Sequence, residues 1–246
     1  MTLLELDDLT VCYGDSAVVD SVSFAVHRGE SVGIVGESGS GKSQTALSLL
    51  GLLPANALVT GSIRFDGVEL LSKSDNQLDE FRAMRIGIVF QDPMQALNPY
   101  LRVGDQLRQI LLQHEIAGGE VADAKVVDML KRVRLPDAER QFRAFPHELS
   151  GGMRQRVMIA SALICEPDLL IADEPTTALD VTVQAQILDL LEELRDDTAL
   201  LLITHDLGIV AGRCERLLVF DEGRLIEWGA TTSIFSSPAR NCSIPW

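Results

Sequence analysis

The stretch that decides the fold is Gly36-Glu-Ser-Gly-Ser-Gly-Lys42-Ser43. It matches the pattern G-x-x-x-x-G-K-S/T and lies between an apolar run at residues 32–35 and a helical segment at 42–50. Glycines let successive backbone N–H groups converge on a phosphate, and the start of the helix adds a partial positive charge. A Gly/Ser loop that only caps a helix is the alternative. The strand and helix in the right places on both sides favour a phosphate-binding loop.

The loop supplies two side chains with definite tasks. The ammonium group of Lys42 would reach the β- and γ-phosphates, and the hydroxyl of Ser43 would bind Mg²⁺. The whole loop is the predicted binding segment for a nucleoside triphosphate: Gly36, Glu37, Ser38, Gly39, Ser40, Gly41, Lys42 and Ser43.

The segments around the loop predict an α/β protein. Apolar or alternating runs bounded by turn residues predict strands at residues 3–9, 18–26, 32–35, 62–65, 86–90, 169–172 and 200–204. Short connections follow the first, second and fourth of these, which favours antiparallel pairing. The other four are apolar and separated by helical stretches, which is typical of a buried parallel sheet. A helix is predicted at 183–194, and a final hairpin joins 217–220 to 225–228.

The middle of the chain differs in pattern and in charge. Between residues 99 and 149 no strand is expected, and apolar residues recur at helical spacing, which predicts a helical subdomain inserted at about residues 92–152. The 246 residues carry a net charge of −15; residues 92–149 hold 9 acids and 8 bases, and the remainder holds 27 acids and 13 bases. The acidity therefore belongs to the α/β part, and its sign disfavours nucleic acid as a partner.

A second candidate site follows the strand predicted at 169–172. Asp173, Glu174 and Pro175 come directly after it, and the carboxyl end of a strand is where an open α/β sheet places ligand-binding groups. Asp173 would hold Mg²⁺, and Glu174 would act as general base towards the attacking water. By itself Asp-Glu-Pro is more often a solvated turn, but its combination with the phosphate loop favours the catalytic interpretation.

A third motif is Leu149-Ser-Gly-Gly-Met-Arg-Gln155. Ser150 followed by two glycines and a helix is a good N-cap, and the same arrangement is a second anion-binding helix start. Two anion sites far apart in one chain make sense if ATP is sandwiched between two copies.

These motifs, in this order, resemble the ATP-binding cassette (ABC) ATPases over about residues 3–235. The family mark is LSGGQ, where this sequence has LSGGM. The resemblance implies a P-loop NTPase cassette of the α/β class, with a mixed sheet core, an antiparallel β subdomain and the inserted helical subdomain. The expected organisation is one ABC ATPase domain at 1–235 and a short divergent tail at 236–246.

The resemblance also implies roles for single residues. Tyr13 would stack on adenine, Gln91 would touch metal and water and sense the membrane partner, and His205 would contact the γ-phosphate. An isolated tyrosine or histidine at such a place is more often structural. The segment Ala178-Leu179-Asp180 would communicate across a dimer. In each composite site, residues of one chain would face Ser150 and Gly152 of the opposite chain, with Gly151 in the same ATP-binding set.

A closer resemblance is carried by Phe90-Gln-Asp-Pro-Met-Gln-Ala-Leu-Asn-Pro99 and Phe145-Pro-His-Glu-Leu-Ser-Gly-Gly-Met153. Both are similar to the dipeptide, oligopeptide and nickel importer subfamily. Its members are peripheral subunits at the cytoplasmic face of the cell membrane, where they pair with a second ATPase, related or identical, beneath integral-membrane permeases. An extracellular solute-binding protein supplies the solute. The expected function is ATP hydrolysis that drives uptake of di- or oligopeptides.

Other functions stay open at this point. The solute could be nickel or another small molecule, and the chain could be an ABC ATPase without a transport duty or a scaffold with negligible turnover. The end of the chain departs from the subfamily, which usually continues beyond residue 238 and in some members carries a cysteine cluster. The four cysteines here, Cys12, Cys165, Cys214 and Cys242, lie far apart, which is typical of reduced thiols. Neither a membrane span nor a secretory signal is expected.

Overall fold

The computed structural model describes residues 1–177 and 179–237. The chain forms two compact units: one is Met1–Arg82 together with the chain from Asp197 onward, and the other is Ala83–Asp196. The helical insertion predicted at 92–152 lies within the second unit. Ala178 and the predicted tail from residue 238 onward, including Cys242, lie outside the described residues.

The elements are numbered along the chain. The strands are β1 (Thr2–Tyr13), β2 (Ser16–His27), β3 (Ser31–Gly36), β4 (Ala57–Phe65), β5 (Val68–Glu69), β6 (Ile86–Val89), β7 (Leu169–Asp173), β8 (Ala199–Thr204), β9 (Arg216–Asp221) and β10 (Arg224–Ala230). The helices are α1 (Lys42–Leu49), α2 (Asp75–Leu78), α3 (Pro93–Ala96), α4 (Val103–Gln113), α5 (Gly119–Arg132), α6 (Ala138–Phe142), α7 (Gly151–Leu163), α8 (Val181–Leu194), α9 (Leu207–Val210) and α10 (Thr231–Ser236).

The first unit contains an antiparallel sheet of order β2-β1-β4-β5. The antiparallel pairing predicted for its first three strands is confirmed. Strand β1 runs four residues beyond the predicted end at Leu9 because a bulge restores its alternation. The register shifts between Leu6 and Leu9, both of which are buried, and Asp8 between them has φ 51°. Such an extra residue turns the following side chains back towards the core.

The first unit also contains strands in the order β10-β9-β3-β8. Strand β3 is parallel to β8 and to β9, and all six of its residues are buried. Burial on both faces explains the apolar run at residues 32–35 of this strand. The predicted final hairpin is β9 and β10, where Asp221 pairs with Arg224 across a two-residue turn. Glu222 and Gly223 have φ 43° and 82°, the left-handed values that such a turn requires.

The second unit pairs β6 with β7 in parallel, as predicted, with Val89 opposite Ala172. Between residues 99 and 149, all of which are described, the elements are helical, which confirms the expectation of no strand there. The core of these helices is apolar: α4 buries Val103, Leu107 and Leu111, and α5 buries residues including Val126 and Leu130. The helical spacing in the sequence therefore marked the buried faces of α4 and α5.

No helix among residues 1–177 and 179–237 is long and apolar enough to cross a membrane.

Three of the four cysteines, Cys12, Cys165 and Cys214, are described, and none of these three forms a disulfide bond. Burial, reinforced by the nearby charge of Glu166, raises the pKa of the Cys165 thiol to about 11. A thiol with so high a pKa is nearly all protonated at neutral pH and is a poor nucleophile or metal ligand.

The contact between Gly104 in α4 and the ring of Phe142 in α6 gives a test of packing in the second unit. A Cβ on Gly104 would lie 2.3–2.5 Å from ring carbons of Phe142. We expect Gly104→Ala to lower the free energy of unfolding by about 1–3 kcal/mol in the native background. In a Phe142→Ala background the ring is gone, and the same change should instead raise it by up to about 1 kcal/mol through helix propensity. Urea unfolding of the four variants measures both effects; equal effects in the two backgrounds would contradict the assignment.

Candidate functional site

The loop between β3 and α1 passes very close to neighbouring backbone. A Cβ on Gly36 would lie 2.3 Å from the carbonyl oxygen of Phe220, and one on Gly41 would lie 2.5 Å from that of Val18. Gly41 also has φ 95° and is the N-cap residue of α1. Only glycine fits both conditions. The N-cap residue of α1 therefore has no side chain that could cover the first backbone N–H groups of the helix.

Lys42 lies inside this loop and is only 5% exposed. Its Nζ donates hydrogen bonds to the carbonyl oxygens of Gly36 at 2.8 Å and Glu37 at 2.7 Å, and it lies 3.4 Å from the hydroxyl of Ser40. A buried ammonium group needs such acceptors. The bonds hold a positive charge at the start of α1, where the helix already favours an anion.

Tyr13, at the end of β1, is tied to the same helix. Its hydroxyl donates a 2.7 Å hydrogen bond to Oε1 of Gln44 in α1, and its side chain is half-buried. The bond fixes the ring relative to the phosphate loop. The sequence pattern did not identify Gln44 because the two residues are 31 positions apart, and only the fold of the first unit brings them together.

His205 leaves the sheet beside the loop. Strands β3 and β8 are parallel with Val35 opposite Thr204, so the next residue of each, Gly36 and His205, lies at the same edge of the sheet. The side chain of His205 is exposed, and the next residue, Asp206, caps α9 by accepting from the N–H of Gly208 at 2.8 Å. The first unit therefore joins Tyr13, the phosphate loop and His205.

In the second unit, the ends of two parallel strands bring Gln91 and Glu174 into contact. Each lies two residues beyond the pair of Val89 and Ala172. The Nε2 of Gln91 donates a 3.0 Å hydrogen bond to Oε2 of Glu174. Asp173, the last residue of β7, is 8% exposed. Gln91 and Glu174 were predicted as catalytic residues, and Gln91 and Asp173 as residues that hold Mg²⁺. The structure brings the predicted catalytic pair, Gln91 and Glu174, into contact.

Thr177 adds a second bond to the same carboxylate oxygen. Its Oγ1 donates to Oε2 of Glu174 at 2.9 Å, and its backbone N–H donates to the carbonyl oxygen of Glu174 at 3.2 Å. Glu174 itself has φ 44°, a left-handed backbone that costs a non-glycine residue about 1–2 kcal/mol. Strain of this kind concentrates at functional positions. The pattern did not single out Thr177, although its spacing of three residues from Glu174 is that of a side chain returning to its own turn.

The third motif forms the start of α7. Ser150 is the N-cap residue, and its Oγ accepts from the N–H of Met153 at 3.3 Å. Gly151 and Gly152 form the first turn, where a Cβ on Gly152 would lie 3.0 Å from Cγ1 of Val183. The segment before the cap is held by Arg154, whose Nε donates to the carbonyl oxygen of Pro146 at 2.7 Å. The structural role as N-cap is therefore present, and a role towards an anion stays a prediction.

The remaining predicted segment, Ala178-Leu179-Asp180, is described only in part. Ala178 lies outside the described residues. Asp180 is the N-cap residue of α8, where its carboxylate accepts from the N–H groups of Thr182 at 3.1 Å and Val183 at 3.0 Å. Its role across a dimer stays a prediction.

A glycine loop between a buried parallel strand and a helix, with a buried lysine at its end, defines a P-loop nucleotide-binding protein. The chain matches the family model described as ABC transporter over residues 19–177. It is 51% identical to the oligopeptide transport ATP-binding protein OppD of Salmonella typhimurium over 248 residues, which covers 98% of this chain and 74% of that protein. It is 50% identical to the dipeptide transport ATP-binding protein DppD of Bacillus subtilis over 229 residues, covering 92% and 68%.

Solved structures agree with these relatives. An ATP-binding cassette in a dimeric post-hydrolysis state with ADP and Pi matches with a TM-score of 0.82 and 28% identity, covering 93% of this chain and 99% of that chain. The structure of cbiO1 from Clostridium perfringens, part of the ABC transporter complex cbiONQ, matches with a TM-score of 0.81 and 32% identity, covering 96% and 91%. The chain belongs to the ABC transporter family as an ATP-binding ATPase, and the predicted family and fold class are confirmed.

Proposed function

We propose that this chain is the ATP-hydrolysing subunit of an importer for di- or oligopeptides. The observation that carries the proposal is the 51% identity to an oligopeptide transport ATP-binding protein across 98% of the chain. A second relative, at 50% identity, is a dipeptide transport protein, so peptides are the solute that the two names share.

In this proposal ATP is held mainly by backbone. The N–H groups of residues 36–43 and the ammonium group of Lys42 bind the phosphates, and the ring of Tyr13 stacks on adenine. The start of α7 in a second subunit, at Ser150, Gly151 and Gly152, contacts the same nucleotide. Burying the γ-phosphate between two subunits favours their closed pairing, and hydrolysis removes that preference.

The residues proposed to hold Mg²⁺ fit that ion. Ser43, Gln91 and Asp173 offer hydroxyl, amide and carboxylate oxygens, the donor types that Mg²⁺ prefers. Mg²⁺ usually keeps several waters and is bound through one or two carboxylates and substrate phosphates, so three protein donors would be enough for such a site. Bound there, Mg²⁺ neutralises charge on the β- and γ-phosphates.

Hydrolysis is assigned to three side chains. Glu174 accepts the proton of the attacking water, Gln91 orients that carboxylate and the water, and His205 contacts the γ-phosphate. The 3.0 Å bond between Gln91 and Glu174 supports their shared task. Because Gln91 begins the segment leading into α3, movement of that segment by a membrane partner would change how Glu174 is held.

The proposed partners are integral-membrane permeases, a second ABC ATPase subunit, related or identical, and indirectly an extracellular solute-binding protein. The chain then works at the cytoplasmic face of the cell membrane as a peripheral subunit. Nucleic acid is not among the partners because the α/β part carries 27 acids against 13 bases.

The assignment of Glu174 predicts a specific defect. Glu174→Gln keeps an oxygen that can accept from Gln91 and Thr177 but removes the base, so turnover should fall by about 100-fold or more. ATP affinity should be retained, and the variant should accumulate as a closed dimer with ATP. Phosphate release and gel filtration with ATP measure the two effects. Unaltered hydrolysis would rule out Glu174 as the base.

The role of Tyr13 predicts a difference between two substitutions. Tyr13→Ala removes the stacking surface and should raise the Kd for ATP about tenfold, whereas Tyr13→Phe loses only the bond to Gln44 and should change it far less. Inorganic tripolyphosphate has no adenine and should bind both variants like the native chain. Calorimetric titration gives the constants, and equal effects of both variants would count against stacking.

The transport role is tested on the native complex purified from membranes. We expect two permeases and a second ATPase to co-purify, and ATP hydrolysis by the reconstituted complex to rise when a peptide-loaded binding protein is added. If nickel and not peptide stimulates ATP hydrolysis, the proposed solute is wrong. Tight DNA binding that falls steeply with salt would favour a function outside transport.

A further inference from the structure

We propose that Thr177 is a positioning residue for hydrolysis, which holds the carboxylate of Glu174 in its working orientation. This rests on the proposed role of Glu174 as base. The observation is that two donors meet one oxygen: Oγ1 of Thr177 lies 2.9 Å and Nε2 of Gln91 lies 3.0 Å from Oε2 of Glu174.

A glutamate carboxylate needs such an anchor. Its last torsion joins an sp³ carbon to an sp² carbon, so its preference is broad and the rotamer alone does not fix the plane of the two oxygens. Hydrogen bonds to a charged carboxylate are roughly twice as strong as those between neutral groups. Two such bonds to Oε2, from side chains on two different segments, restrict rotation of the carboxylate about this torsion.

Thr177 holds the backbone of Glu174 as well as its side chain. Its N–H donates to the carbonyl oxygen of Glu174 at 3.2 Å, which closes the turn around the left-handed φ of 44°. The hydroxyl bond is therefore formed within a turn of fixed geometry. The side chain of Thr177 is exposed, so folding does not require the hydroxyl to be satisfied by Glu174.

The two donors differ in what can remove them. Gln91 lies 83 residues from Glu174, on the segment that the proposed function couples to the permease, whereas Thr177 lies three residues away in the same turn. If the Gln91 segment moves, the bond from Thr177 moves with Glu174. Thr177 thus keeps the base oriented while Gln91 is free to respond to the membrane partner.

The test compares Thr177→Val, which has nearly the same shape without the hydroxyl, with Thr177→Ser, which keeps it. On the full chain with Mg·ATP, Thr177→Val should lower kcat about tenfold or more, since a small misplacement of a catalytic group has effects of this size. The KM and the Kd for ATP should stay within about twofold, because Thr177 does not touch the nucleotide in this proposal. Thr177→Ser should restore kcat to within about threefold.

Three control variants distinguish the loss of the Thr177 hydroxyl from other effects of the substitution. Thr232→Val makes the same change at an exposed threonine of α10 and should leave kcat unchanged. Thr177→Ala should lower kcat as much as Thr177→Val does. That result would show that the loss comes from the missing hydroxyl and not from a β-branched apolar side chain in the turn. A double variant with Gln91→Leu should lose more kcat than Thr177→Val alone.

The outcomes are distinct. If Glu174→Gln abolishes turnover but Thr177→Val has native kcat, the positioning role is wrong and the proposed function stands. The positioning role is also wrong if Thr177→Ser has the same low kcat as Thr177→Val, or if Thr177→Val weakens ATP binding and leaves kcat unchanged. If Glu174→Gln hydrolyses ATP normally, both the base and its positioning residue are wrong.

Discussion

Two backbone carbonyl groups determine where the phosphate loop can lie. The loop passes so close to Phe220 in β9 and Val18 in β2 that a Cβ on Gly36 or Gly41 would lie 2.3 or 2.5 Å from their oxygens. Both carbonyls belong to paired strands, so the loop cannot shift without a change in a sheet. Lys42 depends on this constraint, because its ammonium group donates to the first two carbonyls of the loop. The strands of the first unit therefore fix the position of the Lys42 ammonium group.

The same constraint explains how an acidic protein accepts a triphosphate. Most of the net charge of −15 lies outside residues 92–149, in the part of the chain that contains the phosphate loop. An average field of that sign repels phosphate. In the proposed site, however, a phosphate would meet backbone N–H groups at the start of α1 and a lysine that is 5% exposed. Buried charges and aligned dipoles act at short range and are screened less than surface carboxylates, so the local groups decide.

Sequence patterns predicted those parts of the fold that depend on burial along one element. Every residue of β3 and β8 is buried, which explains the apolar runs that predicted these strands and their parallel pairing. The features that the sequence did not predict, which are the full length of β1 and the hydrogen bonds between distant residues, depend on contacts between elements. Strand β1 continues past Leu9 only because the bulge at Asp8 restores its register, and the bonds of Tyr13 to Gln44 and of Gln91 to Glu174 join residues 31 and 83 positions apart. Thr177 was within reach of sequence reasoning, since its partner lies three residues away, but a threonine in a turn has many other uses.

Ser150 shows that a structural role and a binding role need not compete. As N-cap it accepts from the N–H of Met153, but at 3.3 Å this bond is longer than the usual 2.9–3.0 Å. A serine hydroxyl has one donor and two acceptor positions, so it can accept from the helix and donate to a phosphate oxygen at once. The two glycines that follow present no side chain at the helix start, and Gly152 has little room for one beside Val183. The sequence indicated both capping and anion binding for this motif. The structure shows the capping, and the proposed anion site would use the remaining hydroxyl hydrogen of Ser150 and the bare helix start.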